Sequence, residues 1–280
     1  MIIDTHLHIV DQTKLSYPWL ADAGPLNRNS FYDDYAKEAK RLGIAASLHM
    51  EVDVAESDID AENEYVKGIA ARQGSLVIGA IAACRPEHDS FAAYLDRIRA
   101  NGLIKGLRRI LHQSPDDLST TKTFRDNIKR LSGTGLTFDL CALPHQLPIV
   151  TELIDLAPDV QFILDHCGVP DIKGGGYETW SKNLAELAKR PNVVGKLSGI
   201  IAYTDTETWT LADIRPYAEH TISCFGFDRM VWGSDWPVCT LGGALSTWVG
   251  ATHALLEGCS KEEKRKLLSD NAKRIWKLDV

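Results

Sequence analysis

The chain has 280 residues, 44% of them hydrophobic, with a formal net charge of −7 and a pI near 5.7. That length and apolar content allow a large core, and Lys and Arg are scattered among acids with no basic stripe, which argues against a nucleic-acid partner. No apolar run approaches the roughly 20 residues of a membrane helix, and Met1 leads straight into Ile-Ile-Asp without a leader pattern, so a cytoplasmic, membrane-free protein is expected.

Short β-branched runs alternate with longer amphipathic segments. Strands are predicted over 2–7, 44–50, 76–83, 104–111, 136–141, 160–165, 193–198 and 229–234. Helices are predicted over 31–42, 58–73, 88–101, 121–133, 146–157, 178–190 and 207–225, then 244–257 and 260–274. Alternation of this kind implies parallel strands joined by right-handed crossovers, and eight units in one domain over 1–280 fit a (β/α)8 TIM-type barrel. A doubly wound nucleotide-binding sheet is the rival, but no Gly-x-Gly-x-x-Gly or Walker loop follows any strand, and Gly174-Gly175-Gly176 reads as a turn. The longest stretch without an element, 9–30, leaves the first strand where it can cover the barrel mouth. Six cysteines without a Cys-x-x-Cys pair read as buried thiols.

Barrels carry their chemistry at the carboxyl ends of the strands. There the sequence places His6 and His8, then His49 and Glu51, Arg108 and His112, His145, His166, Lys196 with Ser198, and Asp235. Strand alternation aims Asp4, His6 and His8 one way with Leu7 opposite, and two imidazoles at i and i+2 can hold one metal ion or one substrate oxygen. His6, His8, His166 and Asp235 form the strongest set, because three imidazoles and an acid at one opening are costly to desolvate without a partner. His49 reads as structural, Glu51 as solvated and His145 as a loop residue. Lys196 reads either as a substrate ligand or as the partner of a buried carboxylate. Asp165 is expected to face away from His166.

At these residues the chain resembles the amidohydrolase superfamily, specifically its branch of small lactonases related to L-fuconolactonase and L-rhamnonolactonase. The stretches that carry the resemblance run from Ile3-Asp4-Thr5-His6-Leu7-His8 and Tyr17-Pro18-Trp19-Leu20 through Gly106-Leu107-Arg108-Arg109 and Leu164-Asp165-His166-Cys167-Gly168. Gly195-Lys196-Leu197-Ser198-Gly199, Trp232-Gly233-Ser234-Asp235-Trp236-Pro237 and Asp270-Asn271-Ala272 complete them.

The resemblance implies a somewhat distorted barrel that hydrolyses a lactone, most simply a sugar-acid lactone. It implies Asp235 and His166 as catalytic groups, with His6, His8, His166 and Asp235 around one divalent metal, zinc by its nitrogen ligands, or around a metal-free site. Arg108, His112 and Lys196 would contact substrate, with Tyr17, Trp19 and Trp236 as stacking walls. No carboxylated lysine is indicated, because Lys105 lies on the strand face opposite Arg108. Decarboxylation or lactone isomerisation by the same residues is the alternative, and the oligomeric state is open.

Overall fold

The computed structural model describes all 280 residues. Its eight strands are β1 (Ile2–Leu7), β2 (Ile44–Met50), β3 (Val77–Ala83), β4 (Ile104–Ile110), β5 (Thr137–Cys141), β6 (Gln161–Leu164), β7 (Val193–Ser198) and β8 (Met230–Gly233). They are parallel and adjacent in chain order, so the expected (β/α)8 barrel is the observed one. Between them run α1 (Tyr32–Arg41), α2 (Ile59–Ala70), α3 (Phe91–Ile98), α4 (Lys122–Lys129), α5 (Leu147–Asp155), α6 (Tyr177–Leu187) and α7 (Leu211–Phe225). After β8 come α8 (Leu245–Leu255) and a C-terminal run in which a π turn, Lys266–Asp270, separates α9 (Lys261–Arg265) from α10 (Asn271–Trp276). The helix expected from 207 begins at Leu211, because the Asp213 carboxylate accepts the Thr210 N–H and fixes the first turn there. No helix is long and apolar enough to cross a membrane.

The apolar residues sort into three bodies. The largest fills the space between sheet and helices, with Trp180, Trp232, Trp248, Phe124 and Phe138 at its centre. A second plugs the amino-terminal half of the barrel, where Ile3, Leu48, Ile81, Ile163, Val194 and Val231 meet Trp276 from α10. The third lies beneath 9–30, which is folded into two short 3-10 turns, Pro18–Asp22 and Gly24–Leu26.

Strand alternation fails at one decisive place. Between Asp4 and Leu7, β1 advances three residues while β2 advances two, from Ser47 to His49, which is a β-bulge. Ile3 therefore sits inside the barrel, whereas Asp4 turns out and accepts the Tyr35 hydroxyl of α1 at 2.7 Å. The expectation that Asp4 shares a face with His6 and His8 is thus corrected. The bulge resets the phase, so that both histidines point in.

The seam between β8 and β1 is closed by an isolated bridge, Leu7 to Trp236, and by discrete bonds. Asp235 N–H donates to His6 O and His8 N–H to Trp236 O, both at 2.8 Å, while Asp4 accepts the Ser234 N–H at 2.7 Å.

Candidate active site

Above the apolar plug lies a layer of buried charge, and above that a cavity. The lower layer centres on Lys196 of β7, which has no solvent exposure. Its ammonium donates to Asp139 of β5 at 2.6 Å and pairs with Asp165 at 2.7 Å. Burial alone would lower its pKa, but the two carboxylates hold it above the usual lysine value. Asp165 also faces His6 and Arg108, at 3.4 and 3.6 Å; burial would raise its pKa, but the Lys196 ammonium, aided by the His6 ring, holds it well below the usual carboxylate value. Asp139 has Lys196 as its one close cation, so burial prevails and its pKa rises.

Two expectations change here. Asp165 does not face away from the site: β6 ends at Leu164, Ile163 points inward, and alternation carries Asp165 inward as well. His166 then adopts a left-handed conformation, φ +53°, that swings its ring to the same side. Lys196 is not a cavity residue but the counter-ion of two carboxylates.

Arg108 of β4 is held in the same layer. Its Nε donates to Glu51 Oε1 at 2.6 Å and Nη2 to Glu51 O at 2.8 Å. Glu51, expected to be solvated, is buried; burial pushes its pKa up, but the guanidinium outweighs that and keeps it low. Arg109, one residue on, points outward to Glu87 at 2.8 Å.

His6, His8 and Asp235 meet at the cavity, which His8 and Asp235 line and His6, fully buried, does not. His6 Nε2 and His8 Nε2 stand 3.2 Å apart, with Asp235 Oδ1 at 3.7 and 3.4 Å from them. His8 Nδ1 lies 3.0 Å from Met50 O; a carbonyl only accepts, so Nδ1 carries the proton and Nε2 presents its lone pair. Burial and the nearby Arg108 push the His8 pKa down to about 3. Asp235 Oδ2 lies 3.6 Å from His166 Nδ1 and has no hydrogen-bond partner. Burial raises the Asp235 pKa to about 6, against the lowering by His166 and Arg108. His166 Nδ1 is 2.9 Å from Ser198 Oγ.

Two glycines make this convergence possible. A Cβ on Gly233 would come within 2.6 Å of His6 Cβ, and one on Gly199 (φ +58°) within 2.4 Å of Asp235 Oδ2.

The spacing of these donors fits one metal ion. Ligand atoms about 2.0–2.1 Å from a tetrahedral zinc stand about 3.3 Å apart, close to the His6–His8–Asp235 triangle. His8 Nε2, by its lone pair, and Asp235 Oδ1 are donors of the kind zinc takes, while Asp235 Oδ2, outside the triangle, has no hydrogen-bond partner. A second cluster, His6–Asp165–His166, already holds a cation, the Lys196 ammonium. His166 belongs to that second group, so the four expected ligands divide, with three on one triangle and His166 beside it.

The cavity above the floor measures about 190 Å³. His8, Arg108, His112, His166, Asp235 and Trp19, singled out from the sequence, line it, and so do Asp53, Gln113, Cys141 and Tyr203, which carry no such signal. Tyr17 and Trp236, expected as stacking walls, do not line it. Tyr17 is buried with its hydroxyl accepting the Asp11 N–H at 3.1 Å, and Trp236 packs on Tyr35 with ring centroids 5.6 Å apart. His49 points outward to Glu62 at 3.5 Å, and exposed His145 pairs with Asp116 at 3.1 Å.

Comparison with known proteins agrees with this architecture. The family model for amidohydrolases matches residues 3–278. An L-fucono-1,5-lactonase of Burkholderia ambifaria is 25% identical over 291 residues, covering 99% of this chain and 96% of that protein. A 4-sulfomuconolactone hydrolase of Rhizobium radiobacter is 27% identical over 238 residues, covering 84% of this chain and 75% of its own. A crystal structure of an amidohydrolase from Burkholderia multivorans with bound Zn superposes with a TM-score of 0.89 at 24% identity, covering both chains completely. The chain belongs to the amidohydrolase family.

Proposed function

We propose that this amidohydrolase-family protein hydrolyses the ester bond of a lactone, with Asp235 as general base. The observation that carries the reading is the Asp235 carboxylate, one oxygen turned to two imidazoles and the other without a partner beside the cavity. Burial raises its pKa, which makes it a stronger proton acceptor than an exposed carboxylate. The activities for which the two relatives are named, on a sugar lactone and a sulfomuconolactone, have ring-opening hydrolysis in common.

Water on the cavity floor gives a proton to Asp235 Oδ2 as its oxygen bonds to the lactone carbonyl carbon. The carbonyl oxygen gains charge where His166 and the Arg108 guanidinium can face it. The C–O ring bond then breaks, and Asp235 returns the proton to the departing alkoxide. His6, His8 and Asp235 Oδ1 would hold a divalent cation, which when bound supplies Lewis-acid polarisation of the carbonyl. Buried Lys196 and Asp165 keep His6 in place from below.

Asp235→Asn tests the reading. Acid release from a lactone panel at constant pH is expected to fall by about 10²–10⁴-fold while circular dichroism and unfolding stay near the parent. Turnover within a few-fold of the parent would remove Asp235 as the base.

A further inference from the structure

We propose that the substrate is a neutral monocyclic lactone with an apolar substituent, and that polyhydroxylated and dicarboxylate lactones fit poorly. This rests on the lactonase reading above and adds to it the body of the substrate.

The cavity lining is of two kinds. Asp53, His112, Gln113 and Tyr203 join His8, Arg108, His166 and Asp235 as its polar part. The apolar wall is Val10, Leu20 and Leu26 from the 9–30 segment, Val52 after β2 and Val238 after β8, none with a side-chain donor or acceptor. Trp19 completes this wall as a hydrocarbon face, since its indole N–H already donates to Val52 O at 2.8 Å. A substrate hydroxyl pressed against these groups gives up water and finds no partner, which costs roughly 10-fold in affinity per hydroxyl. Each methylene buried there instead gains about 4-fold.

The cations around the cavity are matched before any substrate arrives. Arg108 has Glu51, Arg85 has Asp53 at 3.6 Å, and Lys196 has Asp139 and Asp165. Away from the His6–His8–Asp235 triangle, a carboxylate on the substrate's side chain therefore meets no unmatched cationic side chain and lies near Asp53. The volume, about 190 Å³, is below the about 300–1,000 Å³ of pockets for drug-sized ligands, and it suits a single ring with a short chain.

The experiment compares kcat/KM, from acid release at constant pH, for γ- and δ-lactones bearing propyl to pentyl chains with that for aldonolactones and a carboxylated lactone. The alkyl series is expected to lead by about 10²-fold or more, the product of two unpartnered hydroxyls. Val238→Ser, at a half-buried wall position, is expected to narrow that ratio. Aldonolactones turned over as well as or better than alkyl lactones overturn the inference and leave the lactonase reading standing. If neither series is hydrolysed, the lactonase reading falls, and calorimetry with unreactive lactams carrying the same substituents decides the wall's preference. Tighter alkyl lactams uphold the apolar wall; hydroxylated lactams that bind as tightly overturn it.

Discussion

Replacing Lys196 by Met tests the charged layer beneath the site. Methionine fills nearly the same volume but leaves Asp139 and Asp165 facing each other in a region without solvent exposure. Breaking a buried ion pair by removing one partner costs about 3–5 kcal/mol. At about 2–4 °C per kcal/mol for a chain of this size, the midpoint of thermal unfolding falls by about 6–20 °C. The loss depends on pH in a definite sense. With Lys196 gone, Asp139 keeps a proton in the native state that the unfolded chain releases near pH 4. Native protein then binds more protons than unfolded protein, so stability falls as pH rises above that value, by up to about 1.4 kcal/mol per pH unit. Asp139 is itself raised to about 7 in the parent, so both proteins share this slope up to there and the deficit grows only above it; it is larger at pH 8 than at pH 5, and Lys196→Met combined with Asp139→Asn recovers much of it. Urea unfolding at the two pH values measures this. A single variant within about 1 kcal/mol of the parent at both would refute the claim that Lys196 neutralises the layer.

Gly199→Ala places a methyl against Asp235 and forces either the carboxylate or the loop to move; a displacement near 1 Å costs about 10²-fold in kcat, and unchanged turnover would show that the contact is slack. Chelator-treated protein is expected to take up one equivalent of zinc by calorimetry, because Lys196 fills the other cluster; a second equivalent of similar affinity would contradict that assignment. Glu51→Gln takes from Arg108 the nearer of its two anions and is expected to lower stability by about 1.5–3 kcal/mol, read as a shifted urea midpoint at constant slope.

The eight strands and their helices were legible because the periodicities of 2 and 3.6 change so regularly along the chain, and element ends shift by only a few residues. His6, His8, His166 and Asp235 stood out as polar groups at apolar strand ends, and all four lie within a few ångströms of one another. Asp4 was misread because alternation assumes an unbroken strand, and a bulge has no residue signature in Asp4-Thr5-His6. Asp165 and His166 cannot both point inward on a regular strand, and only the positive φ at His166 resolves this. Glu51 looks like a surface charge in isolation, and Lys196 left two readings open, substrate ligand or partner of a buried carboxylate; the outcome depends on partners 57 residues away in each case, Arg108 and Asp139. The aromatic residues Tyr17 and Trp236 suggested a carbohydrate platform by type, yet type does not reveal which hydrophobic body a ring joins.

The join between the last strand and the first has a consequence for how the protein loses function. Every other pair of neighbouring strands is held by a multi-residue ladder, whereas this one depends on an isolated bridge and a few main-chain bonds, among them those of the residues that bear the reactive groups, His6, His8 and Asp235. Fraying at that stitch would separate the acid from the imidazoles while seven-eighths of the cylinder stayed intact. Heat or mild denaturant should thus silence the protein before its helices melt.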